Sequence, residues 1–197
     1  MIEAVAEPST TSTRDLVTRA LAGDDQARDA IYRRHADDVQ RVIVSLRLRL
    51  RREEVEDAVQ DTFLRLFRDL PRVDPDRSLR GYVLGIARNV ALDRCRRARL
   101  RAVEPLADTA PDAKGARPEH PAERAEETEL VARGLEALDP ERRALLGLRH
   151  VQGLTMDELA LALDCSVPTA RARLRDAAAL LGRELRRLGL SGPEVRS

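Results

Sequence analysis

Residues 153–177 read GLTMDELALALDCSVPTARARLRDA, and their local signals settle the fold class. Gly153 breaks the chain. Thr155 followed three residues later by Glu158 is a capping box, in which each side chain satisfies an orphan amide of the other's backbone, so a short helix should run to Leu163. Asp164-Cys165-Ser166 is a turn, and Ser166 with Pro168 just behind it should start a second helix at Val167. Helix, tight turn and helix is the outline of a helix-turn-helix.

On that second helix Ala170, Leu174, Ala177, Leu181 and Leu185 share one side. Thr169, Arg171, Ala172 and Arg175 fall largely on the other. Arginine suits forked hydrogen bonds to guanine or phosphate, and a small residue such as Ala172 lets a helix approach base edges. Arg173 lies nearer the buried stripe, where it would reach phosphate or a neighbouring helix. An amphipathic hairpin with a solvated Arg face has the same outline when taken alone. The break, the capping box, the three-residue turn and the Arg-bearing helix start together favour DNA.

Working back, Asp139-Pro140 supplies an N-cap and a proline at the first helical position, opening a helix to about His150, and Glu129–Leu138 reads as the helix before it. Residues 102–128 hold four prolines, seven acids and three bases with few large apolar side chains, the composition of a flexible acidic linker. A domain boundary is expected there.

The N-terminal half should be helical too. Asp15–Ala22 and Asp25–Leu50 read as helices separated by Gly23-Asp24, and a third runs from about Glu53 to Leu70. In the third, Val55, Val59, Thr62, Phe63, Leu66 and Leu70 gather on one face, while Glu56, Asp57, Gln60 and Asp61 occupy the other. Pro71–Arg77 is a loop. Ser78 then caps a fourth helix to about Arg101, with Leu79, Val83, Ile86 and Val90 as its buried stripe. The resulting layout is a disordered stretch 1–13, a helical domain 14–101, the linker 102–128, a second helical domain 129–190 and a disordered tail 191–197.

Composition agrees with an all-α protein. Of the 197 residues 43% are hydrophobic but only 2% aromatic, so the cores must be built from Leu, Val and Ala, which suits helix-on-helix packing. The net charge of +1 conceals asymmetry: residues 53–62 carry five acids and no base, and residues 77–101 carry eight Arg against Asp93 alone. Two faces of opposite sign suggest two partners. Cys95 and Cys165 lack metal or disulfide spacing, and His35, His120 and His150 are scattered. With no Gly-rich phosphate loop and no paired nucleophile and base, neither an enzyme nor a cofactor or metal site is expected. No apolar run reaches membrane-span length and no signal peptide is evident, so a cytoplasmic protein is expected.

The run 153–177 resembles region 4 of extracytoplasmic-function (ECF) sigma factors of the sigma-70 family, and LDPERRALLGLRHVQGLT (138–155) resembles the helix before it. EDAVQDTFLRLFRDL (56–70) is similar to regions 2.1–2.2, and SLRGYVLGIARNVALDRCRR (78–97) to regions 2.3–2.4. The resemblance implies a subunit that brings core RNA polymerase to promoter DNA. It implies that Asp57, Gln60 and Asp61 contact the β′ coiled coil, with the β subunit as a further contact. It also implies that Asp74–Arg80 and Asn89 capture a base flipped from the −10 element, with Asp93 a weaker candidate. Arg88, Arg94, Arg96, Arg97, Arg99 and Arg101 would meet phosphates, and Arg80 belongs with the DNA-facing set. A cognate anti-sigma partner is common in such a family.

Departures are visible. Tyr82 stands where a Trp is usual and can still stack on a base. Leu79 replaces a common Phe, and Ser166 and Pro168 replace the usual Pro and Gly. Gly85 replaces a frequent Arg at a cost of about 1 kcal/mol of helix propensity relative to Ala. A regulator that binds operator DNA through residues 154–185 and never binds core polymerase is the alternative.

Overall fold

A computed structural model of the chain describes residues 12–45, 51–74, 77–101 and 122–190, and among them it is all helical. The order is α1 (Thr13–Leu21), α2 (Asp25–Ser45), α3 (Arg52–Asp69), a 3-10 turn (Leu70–Arg72), α4 (Leu79–Arg101), α5 (Ala122–Glu136), α6 (Pro140–Leu146), a π-helical turn (Gly147–Val151), α7 (Met156–Ala162) and α8 (Val167–Arg187). The expected disorder of residues 1–11 and 191–197 and the linker stretch 102–121 fall outside the described residues, as do 46–50 at the expected end of the second helix.

Local chemistry explains most of the ends. Ser12 caps α1 by accepting from the Asp15 amide, which starts the helix at Thr13, ahead of the expected Asp15. The Asp24 carboxylate accepts from the Gln26 and Ala27 amides and so opens α2. Ser78 Oγ accepts from the Gly81 amide at the start of α4. The expected start of the fifth helix at Glu129 is wrong by seven residues, because α5 begins at Ala122. The acids of this stretch read as linker polarity, yet Ala, Glu and Arg are strong helix formers.

The helix after Asp139-Pro140 also differs from expectation. It ends as α-helix at Leu146 and widens into the π turn, where the Gln152 amide reaches back to the Gly147 carbonyl. Arg143 explains why α5 stops where it does. Its buried guanidinium donates to the carbonyls of Leu135 (2.9 Å), Glu136 (3.1 Å) and Leu138 (2.9 Å), capping the C-terminus of α5 from α6.

Helices α2 and α3 pack with one side of α4 and α1 packs on α2, and Ile31, Val39, Leu66, Leu79, Val83 and Val90 are almost fully buried among them. The single buried stripe expected for α4 is incomplete. Ile86 is only half-buried, whereas Gly81, Leu84, Gly85, Ala87, Ala91 and Leu92 are buried as well. At about 100° per residue, Gly81, Gly85, Arg88 and Leu92 lie opposite the Leu79/Val83/Val90 stripe. That second face is covered by α7, so one apolar cluster runs through both halves of the chain.

His35 sits inside the first half with 5% of its surface exposed, and neither ring nitrogen has a partner. Burial lowers its pKa; Asp38 opposes this, and Arg34 and Arg80 reinforce it. A free His titrates near about 6.5. Below that pH the unfolded chain takes up a proton that the folded chain resists, so this contribution to stability is complete above about pH 6.5 and declines as pH falls toward the depressed native value. His35→Leu is expected to flatten the pH dependence of the urea midpoint between about pH 7 and 5. An identical slope in the variant would clear His35 of that role.

Candidate nucleic-acid interface

The turn between α7 and α8 is built by two local devices. Helix α7 ends in a Schellman motif, with the Cys165 amide bonded to the Ala160 carbonyl (3.0 Å) and the Asp164 amide to the Leu161 carbonyl (3.1 Å). The motif needs a left-handed residue after the cap, and Asp164 takes it at φ 48°, as Asp tolerates better than most non-glycine residues. Ser166 then caps α8 by accepting from the Thr169 amide (3.3 Å). The capping box expected at Thr155 and Glu158 is present at the other end of α7. The short α7 and the longer α8 are thereby joined at a fixed turn, and Leu159, Ala162 and Ala170 are buried beside it.

On α8, Ala170 and Ala177 are buried against the bundle, and Leu174, Leu181 and Leu185 are half-buried beside them. Arg171, Arg173 and Arg175 are exposed, and Ala172 lies half-buried between them. Thr169 is less available, because its hydroxyl shares a 2.8 Å hydrogen bond with Ser166. Arg173 is near enough to Arg88 for the two charges to repel. That places Arg173 toward α4 and leaves Arg171 and Arg175 as the outward pair.

On α4, Tyr82, Asn89 and Asp93 lie along one side of the helix. Asn89 is exposed, and its Oδ1 accepts from the Arg88 guanidinium (2.9 Å). Tyr82 is half-buried, and burial together with Asp69 raises its phenol pKa. Asp93 is paired with Arg96 (2.8 Å) and lies 3.8 Å from Arg65. Arg97 is exposed at the far end, and the side chains of Arg99 and Arg101 lie outside the described residues.

Three of the anticipated DNA-facing arginines are engaged within the protein. Arg80 donates to Asp38 (2.8 Å) and to the Gln152 carbonyl (2.7 Å). Arg88 is half-buried, desolvation lowers its pKa, and its Nε has no partner. Arg94 is bonded to Asp61 (2.5 Å) and lies 4.0 Å from Asp57. Phosphate would have to compete with a carboxylate for Arg94.

The acidic face of α3 presents Asp57, Gln60 and part of Asp61 to solvent. Leu64, one turn on, is 69% exposed on the same face, which the sequence reading had not singled out. Its exposure is legible only once the stripe formed by Phe63 and Leu66 is known to be complete without it. Acids around an exposed leucine suit a basic partner with an apolar centre. Among the described residues no cluster of potential ligands could hold a metal ion, and no helix is long and apolar enough to cross a membrane.

Comparison with known proteins follows the same two halves. The family profile for sigma-70 region 2 matches residues 31–101, and that for sigma-70 region 4 matches residues 128–181. The ECF RNA polymerase sigma factor SigE of Mycolicibacterium smegmatis is 32% identical over 174 residues, covering 85% of this chain and 66% of that protein. SigM of Mycobacterium tuberculosis is 31% identical over 175 residues, covering 88% of this chain and 85% of the relative, and SigL of the same species is 30% identical, covering 89% and 98%. Among solved structures, CnrH in complex with the cytosolic domain of CnrY superposes with a TM-score of 0.63 at 26% identity, covering 89% of this chain and 97% of that one. The sigma factor RpoE in complex with the anti-sigma factor NepR from Bartonella quintana shares the fold, with a TM-score of 0.60 at 18% identity over 80% of this chain and 96% of that one.

Proposed function

Because this chain belongs to the ECF sigma factors of the sigma-70 family and so directs transcription initiation with core RNA polymerase, we propose how its surfaces divide that work. The face of α3 formed by Asp57, Gln60, Asp61 and Leu64 binds the polymerase, the acids steering a basic partner and Leu64 supplying an apolar anchor. Arg94 is a positioning residue that fixes the Asp61 rotamer from α4. The outward side of α4, with Tyr82 and Asn89, holds the opened −10 strand, and Arg171, Ala172 and Arg175 on α8 enter the major groove of the −35 element. The single observation that carries this reading is the opposition of the acidic face of α3 and the Arg-bearing face of α8 on one chain, each exposed where it can meet a different partner.

A regulatory partner fits the same frame, since CnrH was solved with the cytosolic domain of CnrY and RpoE with the anti-sigma factor NepR. We propose an anti-sigma protein as a regulator of this chain. The assignment is of a binding subunit without catalysis of its own, acting in the compartment that holds RNA polymerase.

Asn89 tests the −10 assignment. A side-chain amide both donates and accepts, as reading an unstacked base edge requires, and the step occurs only after the base is extruded. Asn89→Ala is expected to lower permanganate reactivity of the −10 region at equal holoenzyme occupancy, with a smaller effect on a pre-opened template. Equal melting by variant and wild type on duplex DNA would return Asn89 to the role of a solvated polar residue.

A further inference from the structure

Between α1, α2 and the first turn of α4 lies a cavity of about 360 Å³, whose wall includes Thr13, Arg34, His35, Asp38, Arg77 and Arg80. It belongs to none of the surfaces assigned above. Arg80 precedes Tyr82 by two positions, about 200° around the helix, so the cavity lies behind α4 as seen from the side that carries Tyr82, Asn89 and Asp93.

Cations dominate this wall. Arg34 donates to the Thr13 hydroxyl (3.4 Å), joining α2 to α1, and Arg77 is exposed just ahead of α4. The Asp38 carboxylate is shared by Arg41 and Arg80, which hold it in its charged form against burial. The next carboxylate, that of Glu158 on α7, accepts from the Ser78 hydroxyl and the Thr155 amide. Positive charge is therefore in excess around the cavity, and the start of α4 adds the positive end of its dipole.

His35 stands in the same wall with 5% of its surface exposed, and among the described residues neither Nδ1 nor Nε2 has a hydrogen-bond partner. A neutral imidazole offers one donor and one acceptor, and an imidazolium two donors. Burial, reinforced by Arg34 and Arg80, disfavours the charged ring, and Asp38 offsets this only in part. An oxyanion reverses that balance, because it accepts from the ring, pairs with the guanidinium groups and makes the protonated imidazole the favoured form.

We propose that this cavity is a binding site for a small phosphorylated ligand, whose phosphoryl oxygens are held by Arg34, Arg77 and His35 at the start of α4. Phosphate suits the set better than a carboxylate does. Its oxygens can meet donors that arrive from α2 and from the segment ahead of α4 at once, and forked guanidinium groups match them in pairs. The volume admits a phosphoryl group with a small organic substituent. Occupancy would tie α1, α2 and α4 together, giving a soluble ligand of that class a hold on the half of the chain that carries the acidic face of α3.

Sulfate is the first probe. It mimics phosphate and stays a dianion throughout the range in which histidine titrates, so any pH dependence reports the protein. In isothermal titration of the full-length chain, one sulfate per chain is expected to bind at least about fivefold tighter at about pH 5.5 than at about pH 8, because the site takes up a proton on binding. His35→Gln should abolish that pH dependence. Arg77→Ala should weaken sulfate at least about tenfold at unchanged helical content. The His35 ring resonance, identified among the three histidines by its absence in His35→Gln, should shift as sulfate is added. Glycerol phosphate should bind at least about tenfold tighter than succinate.

No saturable sulfate binding at either pH, or equal binding by Arg77→Ala, would overturn the site. An unchanged pH dependence in His35→Gln would overturn the part given to His35, and a preference for succinate would overturn the phosphoryl assignment. If sulfate does not bind while Arg77→Ala lowers holoenzyme affinity for promoter DNA and reduces its salt slope by about one, the cluster is a DNA backbone contact and the proposal fails.

Discussion

Arg171→Ala/Arg175→Ala is expected to weaken holoenzyme binding to the −35 element by at least about tenfold, because one forked Arg–guanine contact alone contributes about 1–3 kcal/mol of discrimination. Arg171 and Arg175 are the outward arginines of α8, placed one turn apart with Ala172 between them. Neither takes part in the Ser166–Thr169 cap or packs in the bundle, so the double substitution should leave the fold intact. The two roles separate by their signatures. A base contact by Arg171 flattens the preference at one position, whereas a phosphate contact weakens all sequences alike and reduces the salt slope by about one. A panel of single-base −35 variants at several salt concentrations distinguishes them, and wild-type affinity in the double variant would reverse the assigned orientation of α8.

The second large effect concerns polymerase. Asp57→Arg with Gln60→Ala is expected to lower affinity for core polymerase by roughly tenfold or more, through like-charge repulsion with a basic partner. Asp57 is the better site for this test than Asp61. Reversing Asp61 would also strand Arg94, its 2.5 Å partner, and confound lost binding with a disturbed α3–α4 contact. Asp57 is 65% exposed and only at the 4.0 Å margin of Arg94. Fluorescence anisotropy against core enzyme measures the change, and unaltered affinity with native helical content would remove this face of α3 from the interface.

Which features the sequence reveals depends on how local their causes are. The capping box at Thr155 and Glu158, the Ser166 cap and the Asp139-Pro140 start act within three residues, and each was legible before any coordinates. The helix-turn-helix could therefore be placed to within a residue or two. The second buried face of α4 could not, because its partner α7 lies about eighty positions away and glycine gives no hydropathy signal. Gly85 read as a cost in helix propensity, and only the position of Ala162 shows what the missing side chain permits.

Charged residues misled for a related reason. Arg80, Arg88 and Arg94 look alike in a basic run, but one bridges two halves of the chain, one is half-buried with an unpartnered Nε and one is held by Asp61. Arg143 sits in a stretch read only for its helix start, yet it caps three carbonyls that belong to the end of the preceding helix. Such roles depend on acceptors contributed by another element. The α3 face was half legible: its acids stood out, and Leu64 did not, since an outward leucine is indistinguishable from a core one until the core is assembled.

Run-off transcription with purified components tests the central claim most directly. Core RNA polymerase supplemented with the full-length chain is expected to produce discrete transcripts from templates bearing the upstream regions of genes induced by its overexpression, with none from core enzyme alone. Binding of the chain to those same duplexes without association with core polymerase and without any discrete transcript would contradict the account and identify a regulator that acts from operator DNA.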